Sequence, residues 1–427
     1  MKKGKLNAAV KLLTSSMEGG ILPLDEETMT LLQSKHPESS DLSEDAVVDV
    51  EPVEIHPVVF NEITADSIKI AAMKTRGGAG PSGMDADGWR HILVSRNFGD
   101  SSDELRTELA MSIRKLCTEK LALKTVGIHM TSSIEAFLAN RLVPLDKCPG
   151  LRPIGIGEVL RRIAGKVFMS VVKGDIKDSV GSLQVCAGQP CGCEAAIHAM
   201  RTIYEEEDTD AVLLIDAANA FNSINRKTML KNIERICPIA YIYAYNCYSP
   251  HARLFVVGGK EIRSMEGTTQ GDPPSMAFYA IGLLPLIWCL STVFSLPAAV
   301  DPEDPAVQVS IVPEPAISDL ATVESSIRLS PPVSDHNSPV ATMTEQNESS
   351  APINSSTSKQ VAYADDLTGA GKLHMLRKWL DGIIKNGPKF GYNAEPSKSW
   401  LIVKEDRLAE AEQIFEGAGV KITTAGK

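Results

Sequence analysis

Cysteine is scarce: eight in 427 residues, too few for a disulfide scaffold. No apolar run follows the opening Met1-Lys2-Lys3-Gly4-Lys5, so no secretory leader is expected and the chain reads as intracellular, with reduced thiols. Positive charge is missing from residues 37–54, where Glu38, Asp41, Glu44, Asp45, Asp49, Glu51 and Glu54 stand without one Lys or Arg. Residues 296–358 have no glycine and no aromatic residue, and set nine acids against Arg328 alone. These segments carry −7 and −8, so a net charge of −11 for the whole chain becomes +4 for the other 346 residues. An acidic chain would argue against nucleic-acid binding; a mildly basic body with acidic appendages does not. Charge of either sign is absent from Pro273 to Val300, a length that spans a bilayer. Pro273 and Pro274 open this run and Gly282 and Pro285 interrupt it, which predicts a buried core helix and no membrane association. No Gly-Lys-Ser/Thr follows the glycines of residues 77–83, which excludes a phosphate-binding P-loop. Cys186, Cys191, Cys193 and His198 lack a second Cys-x2-Cys pair, so their spacing does not make a zinc site.

What is present is a folded protein, with 43% apolar and 23% charged residues. Residues 1–57 read as an N-terminal segment, basic at first and ending in an acidic linker. Order begins near Val58: Ile68–Met73 has helical spacing, Thr75–Gly83 is a Gly/Pro loop, and a helical region continues to about Asn140. Residues 141–173 are the most basic stretch, with Arg141, Lys147, Arg152, Arg161, Arg162, Lys166 and Lys173 against Asp146 and Glu158. Ala211–Asp216 is an apolar run of strand length that ends on an acid, and a helix over 226–235 follows. Leu254–Val257 and Glu261–Met265 flank Gly258-Gly259 as a hairpin. The Pro- and Ser-rich segment 296–358 is too polar to offset its chain entropy and is expected to be disordered. After it come a strand turning at Tyr363-Ala364-Asp365-Asp366, a helix over 373–384, a strand over 400–403 and a helix over 407–415.

Two carboxylate-bearing strand ends carry the chemical signal. A strand-ending Asp216 alone is an ordinary turn residue, and Asp365-Asp366 alone would suit a solvated hairpin tip. Both lie in apolar surroundings, however, where carboxylates gathered at one sheet edge repel unless a cation neutralises them. Mg2+ takes one or two carboxylates together with substrate phosphates, and paired ions stabilise both oxygens of an in-line phosphoryl displacement.

Asp216 with Phe221, then Gln270-Gly271-Asp272-Pro273, then Tyr363-Ala364-Asp365-Asp366, then Pro396-Ser397-Lys398, resemble in order the palm of a reverse transcriptase. Upstream, Gly80-Pro81-Ser82-Gly83-Met84-Asp85 and Leu151-Arg152-Pro153-Ile154 resemble the fingers of reverse transcriptases from retroelements without long terminal repeats. The likeness spans residues 75–405 apart from the 296–358 insert. It implies an α+β fold: fingers over 58–205, and a palm of antiparallel sheet backed by helices, divided into 206–295 and 359–427. It implies template-directed DNA synthesis from dNTPs, an RNA template, a DNA primer, and two Mg2+ ions, or Mn2+ in their place. Asp216 and Asp365 would bridge the metals with Asp366 beside them. Lys398 would donate to the leaving pyrophosphate and Arg152 would clamp the triphosphate. Phe221 would exclude a 2′-OH, Gln270 and Gly271 would meet the nascent base pair, and Lys166 would touch phosphate or template. Residue by residue, ordinary alternatives stand beside these roles: core packing for Phe221, solvated surface charge for Arg152 and Lys398. The likeness has gaps. The insert interrupts the palm, and primer grip, thumb and nuclease patterns are not found before Lys427. Two other readings remain at this point: an inactive descendant that binds nucleic acid, and an RNA-templated RNA polymerase, against which Phe221 argues.

Overall fold

The computed structural model describes residues 20–121, 134–147, 150–256, 258, 260–295 and 359–424; the insert expected to be disordered lies outside them. Helices and strands alternate in an α+β arrangement with two sheets. The helices are α1 (Glu26–Ser34), α2 (Ala65–Lys74), α3 (Ala86–Val94), α4 (Gly99–Thr118), α5 (Val159–Val180), α6 (Gly192–Glu205), the single turn α7 (Ala220–Ser223), α8 (Arg226–Ile236), α9 (Pro238–Tyr248), α10 (Ser275–Ser295), α11 (Leu373–Asn386) and α12 (Leu408–Ile414). The strands are β1 (Asn140–Asp146), β2 (Leu151–Gly157), β3 (Ala211–Ile215), β4 (Ala252–Val256), β5 (Glu261–Ser264), β6 (Lys359–Tyr363), β7 (Asp366–Gly371), β8 (Trp400–Val403) and β9 (Lys421–Thr423).

Local chemistry accounts for many boundaries. Thr64 and Ser67 form a reciprocal capping box at the start of α2, and Asp25, Asp85 and Asn225 cap α1, α3 and α8 through side-chain acceptors. β3 is buried at every position except Leu214, as expected for the central strand of the order β6-β7-β3-β8-β9. α10 and α11 pack together behind this sheet, and α6 lies against β6 and β7. Trp379 of α11 is buried against Gly369 of β7, where a Cβ would meet the indole at 3.4 Å.

The charge-free run forms α10. Its Ser275–Thr292 window is long and apolar enough to cross a membrane, and 72% of it lies buried inside the protein. It is a core helix whose Gly282 permits close approach of α8: a Cβ there would stand 2.7 Å from the Met229 Cγ.

Two expectations change. The sheets are mixed rather than antiparallel, because β8 runs parallel to β9 after the α12 crossover and β1 runs parallel to β4. Hydrophobic period sets strand identity and leaves direction open. The helical region runs as expected: α4 extends to Thr118 and helix is present again over 134–138, just before β1 opens at Asn140, while 122–133 lie outside the described residues. The basic stretch then contains the β1–β2 hairpin, in which Arg141, Lys147 and Arg152 accompany alternating buried residues.

The second change concerns the acidic linker, which packs against the body. Ala46 and Val48 are buried. Asn232, 0% exposed, accepts from the Val48 amide at 3.1 Å and donates to the Ala46 carbonyl at 3.0 Å. Asn225 donates to the Asp41 carbonyl at 3.0 Å, and Asn219 to that of Lys35 at 2.8 Å. Glu266 accepts from the Ser40 amide at 2.7 Å. The acids lie on the outer side, where Asp41 pairs with Lys227 at 3.0 Å and Asp45 with Lys389, while the backbone is gripped from within.

Candidate functional site

Asp216 follows β3 directly, at the end of a strand bonded to β7 and β8 on its two sides. Its amide donates to the Ser399 hydroxyl at 3.2 Å, Ser399 donates to the Glu395 carbonyl at 2.9 Å, and the Glu395 amide donates to the Asp216 carbonyl at 2.8 Å. This loop of bonds fixes the strand exit against the segment that carries Lys398.

Asp365 and Asp366 stand at the β6–β7 turn, where Tyr363 pairs with Asp366 and only Ala364 and Asp365 intervene. Ala364 has φ +56°, a left-handed conformation that costs a non-glycine residue about 1–2 kcal/mol. The turn is held by its surroundings. Gln184, 0% exposed, accepts from the Ala364 amide at 2.8 Å and donates to its carbonyl at 3.2 Å. Beside it, the backbone of Leu183 and Val185 bonds both polar groups of Ala362. The buried Tyr392 hydroxyl donates to the Asp365 carbonyl at 2.9 Å.

A cleft of about 260 Å3 collects Arg152, Asp216, Phe221, Gln270, Asp365 and Lys398. Lys35, Lys147 and Glu395 share its wall. A second cleft of about 400 Å3 opens across the sheet from the same carboxylates, lined by Asp216, Asp366 and Lys398 at its polar end and by Leu214, Ile197 and Trp400 elsewhere. Gly271, with φ +97°, lies instead with Gln270 on a separate recess beneath β2. Lys166 stands apart from all three, its ammonium donating to the Lys74 carbonyl at 2.8 Å. Burial and then the charges of Arg162, Arg76 and Lys74 lower the Lys166 pKa. Phe221 is half-buried, and one side of its ring stacks on Tyr279 at 4.9 Å.

The carboxylates strain one another. Burial, together with the charge of Asp216, raises the Asp365 pKa. Asp366 is open to solvent on its outer side, yet burial of its inner side and the charges of Asp365 and Asp216 push its carboxyl up to about 6. Among the described residues, no three His, Cys, Asp or Glu side chains stand close enough together to hold a metal ion unaided. Two hard carboxylate donors on one cleft, Asp216 and Asp365, do suit Mg2+, which completes its shell from phosphate oxygens and water. A cation there would relieve the repulsion that raises both hairpin pKa values.

Gln184, Tyr392, Ser399, Asn219 and Lys35 are the site residues that sequence reading missed, while Lys147 was seen only as part of the basic stretch. Each of those missed is an isolated polar residue whose meaning comes from a long-range contact. No protein-family model matches the chain, and no curated protein matches it.

Proposed function

We propose that this chain is a template-directed DNA polymerase of the reverse-transcriptase type, with β3, β6, β7 and β8 as its palm sheet and the β1–β2 hairpin as part of its fingers. One observation carries the reading: residues from five separated blocks, Arg152, Asp216 with Phe221, Gln270, Asp365 and Lys398, line a single cleft. They are the residues that the resemblance assigns to one reaction.

In this reading Asp216 and Asp365 would hold the catalytic Mg2+, Asp366 would add its charge from the adjoining cleft, and the turn clamped by Gln184 and Tyr392 keeps Asp365 in register with Asp216. Bound Mg2+ supplies charge neutralisation on the phosphates and acidity to a primer 3′-OH. Arg152 is exposed on β2 and offers a guanidinium to phosphate oxygens. Lys398 is exposed on the opposite wall, 3.9 Å from Glu395, a loose pairing that leaves its ammonium free to protonate the departing pyrophosphate. The 3′-oxygen forms a bond to the α-phosphorus while the bond to the β-phosphate oxygen breaks. Phe221 is braced from behind by Tyr279 and presents a rigid ring edge to the sugar, which disfavours a 2′-OH.

The test is primer extension on an RNA template with saturating primer–template. Templated dNTP incorporation with little rNTP use is expected, and Phe221→Ala should gain rNTP use. Salt-dependent RNA binding without any incorporation would instead identify a non-catalytic nucleic-acid binder.

A further inference from the structure

The cleft has a wall that the palm-and-fingers reading leaves unused: the N-terminal arm. Lys35 lines it together with Lys147, Arg152 and Lys398, facing Asp216 and Asp365. Lys35, Lys147 and Arg152 form no ion pair among the described residues. Lys398 has only its loose partner Glu395. Four cations against the three acids Asp216, Asp365 and Glu395, with three of the cations unpaired, describe a receptor for a polyanion that arrives with its own metal.

Lys35 is not there by the chance reach of a loose tail. It closes α1, with its amide bonded to the carbonyls of Leu31 and Leu32. Its own carbonyl is held by Asn219 at 2.8 Å, three residues beyond Asp216 in the loop between β3 and α7. Asn219 has φ +53° and accepts from the Asn222 side chain at 3.0 Å, so the clamp is fixed on the site side as well. Downstream, Asn225, Asn232 and Glu266 grip the same arm at Asp41, Val48 and Ser40. Three asparagines of the loop and helix that follow the strand ending at Asp216 thus fasten one continuous segment of backbone. The position of Lys35 is thereby tied to that of Asp216.

We infer that the arm is a working part of the cleft and that Lys35 binds the polyphosphate of the incoming nucleotide, opposite Arg152. The inference rests on the polymerase reading for the identity of the nucleotide, while the binding of a polyphosphate can be measured without it. Arm docking and nucleotide affinity are then linked, and anything that lifts residues 35–48 from α8 weakens triphosphate binding without altering the carboxylates.

The experiment titrates the full chain with inorganic tripolyphosphate in Mg2+ by calorimetry, for the wild type, Lys35→Ala, Lys35→Arg and Asn219→Gly, the last of which keeps the positive φ while removing the clamp. Lys35→Ala should bind about tenfold more weakly, the scale of one charge-assisted contact, Lys35→Arg should restore most of the affinity, and Asn219→Gly should fall between. Thermal melts of each variant separate this loss from unfolding. In primer extension, Lys35→Ala should raise KM for dNTP more than it lowers kcat. Unchanged tripolyphosphate affinity in Lys35→Ala, or no binding by the wild type, overturns the inference. Lys35-dependent binding by a chain that never extends a primer would keep the arm's role and sink the polymerase reading. Extension with an unchanged KM in Lys35→Ala would do the reverse.

Discussion

Replacing Gln184 with Ala removes the residue that pins the Asp365 turn. Gln184 is 0% exposed and Ala364 is 2% exposed, so neither the freed amide of Ala364 nor its carbonyl gains ready access to water. A buried polar group left without its partner costs about 1–3 kcal/mol. With two bonds to the same residue, the loss should be roughly 2–4 kcal/mol. That is within the stability of a typical domain, about 5–15 kcal/mol, so the variant should still fold. Urea denaturation followed by circular dichroism should show a lower midpoint with an unchanged slope. Gln184→Glu keeps an acceptor for the Ala364 amide but loses the donor and buries a charge, so it should be no more stable than the Ala variant. Ala364→Gly relieves the left-handed strain without restoring either bond and should rescue Gln184→Ala by no more than about 1 kcal/mol. A loss below about 0.5 kcal/mol, the size of an ordinary surface substitution, would refute the clamp and leave Tyr392 as the turn's main support.

Other outcomes are open to direct measurement. Asn232→Ala should cost about 2–4 kcal/mol, since it unbinds Val48, Ala46 and the Gly282 carbonyl, and should expose Glu38–Glu54 to a glutamate-specific protease; an uncut arm would speak against docking through these bonds. Gly282→Ala should destabilise by about 1–3 kcal/mol because its Cβ meets Met229 at 2.7 Å, and a neutral effect in thermal melts would mean that α8 and α10 can part freely. The raised carboxyl of Asp366 gives a pH signature. Its folded-state pKa of about 6 lies above the ordinary value of 3.8, so the charged form disfavours the fold above pH 6, and that penalty fades as pH falls through 6 toward 4. Without divalent metal, Asp366→Asn should therefore raise the melting temperature at pH 8 and leave it unchanged below pH 4, with Mg2+ shrinking the difference at pH 8. An equal gain at both pH values would remove the repulsion from the account.

Elements that bury one periodic face were legible from the sequence. The apolar run of β3 ends at Ile215 with Asp216 just outside, as its composition suggests, and α8, α11, β8 and α12 lie within a residue or two of their expected limits. The β4–β5 hairpin and the β6–β7 turn followed from alternation around short turns. Direction was not legible: β9 lies parallel to β8 because α12 carries the chain back over the sheet. α9 was missed because its apolar residues surround the helix, and Tyr243, Ala244, Cys247 and Tyr248 are all buried, leaving no amphipathic period to read. The arm was misread because its hold comes from distant partners: side chains of Asn219, Asn225 and Asn232 bind its backbone, and Lys227 and Lys389 pair with Asp41 and Asp45. Asp216, Asp365 and Lys398 could be named in advance since they sit in ordered motifs. Gln184 and Lys35 sit in none, and only the folded chain brings them to the carboxylates.

The most direct measurement is the rate of Mg2+-dependent dNTP incorporation on an RNA template by the wild type and by Asp365→Ala, at matched folding. Removing one partner of a charged transition state typically costs about 10²–10³-fold. The polymerase reading predicts a loss of at least that size, with RNA binding retained. Full incorporation by Asp365→Ala would contradict it.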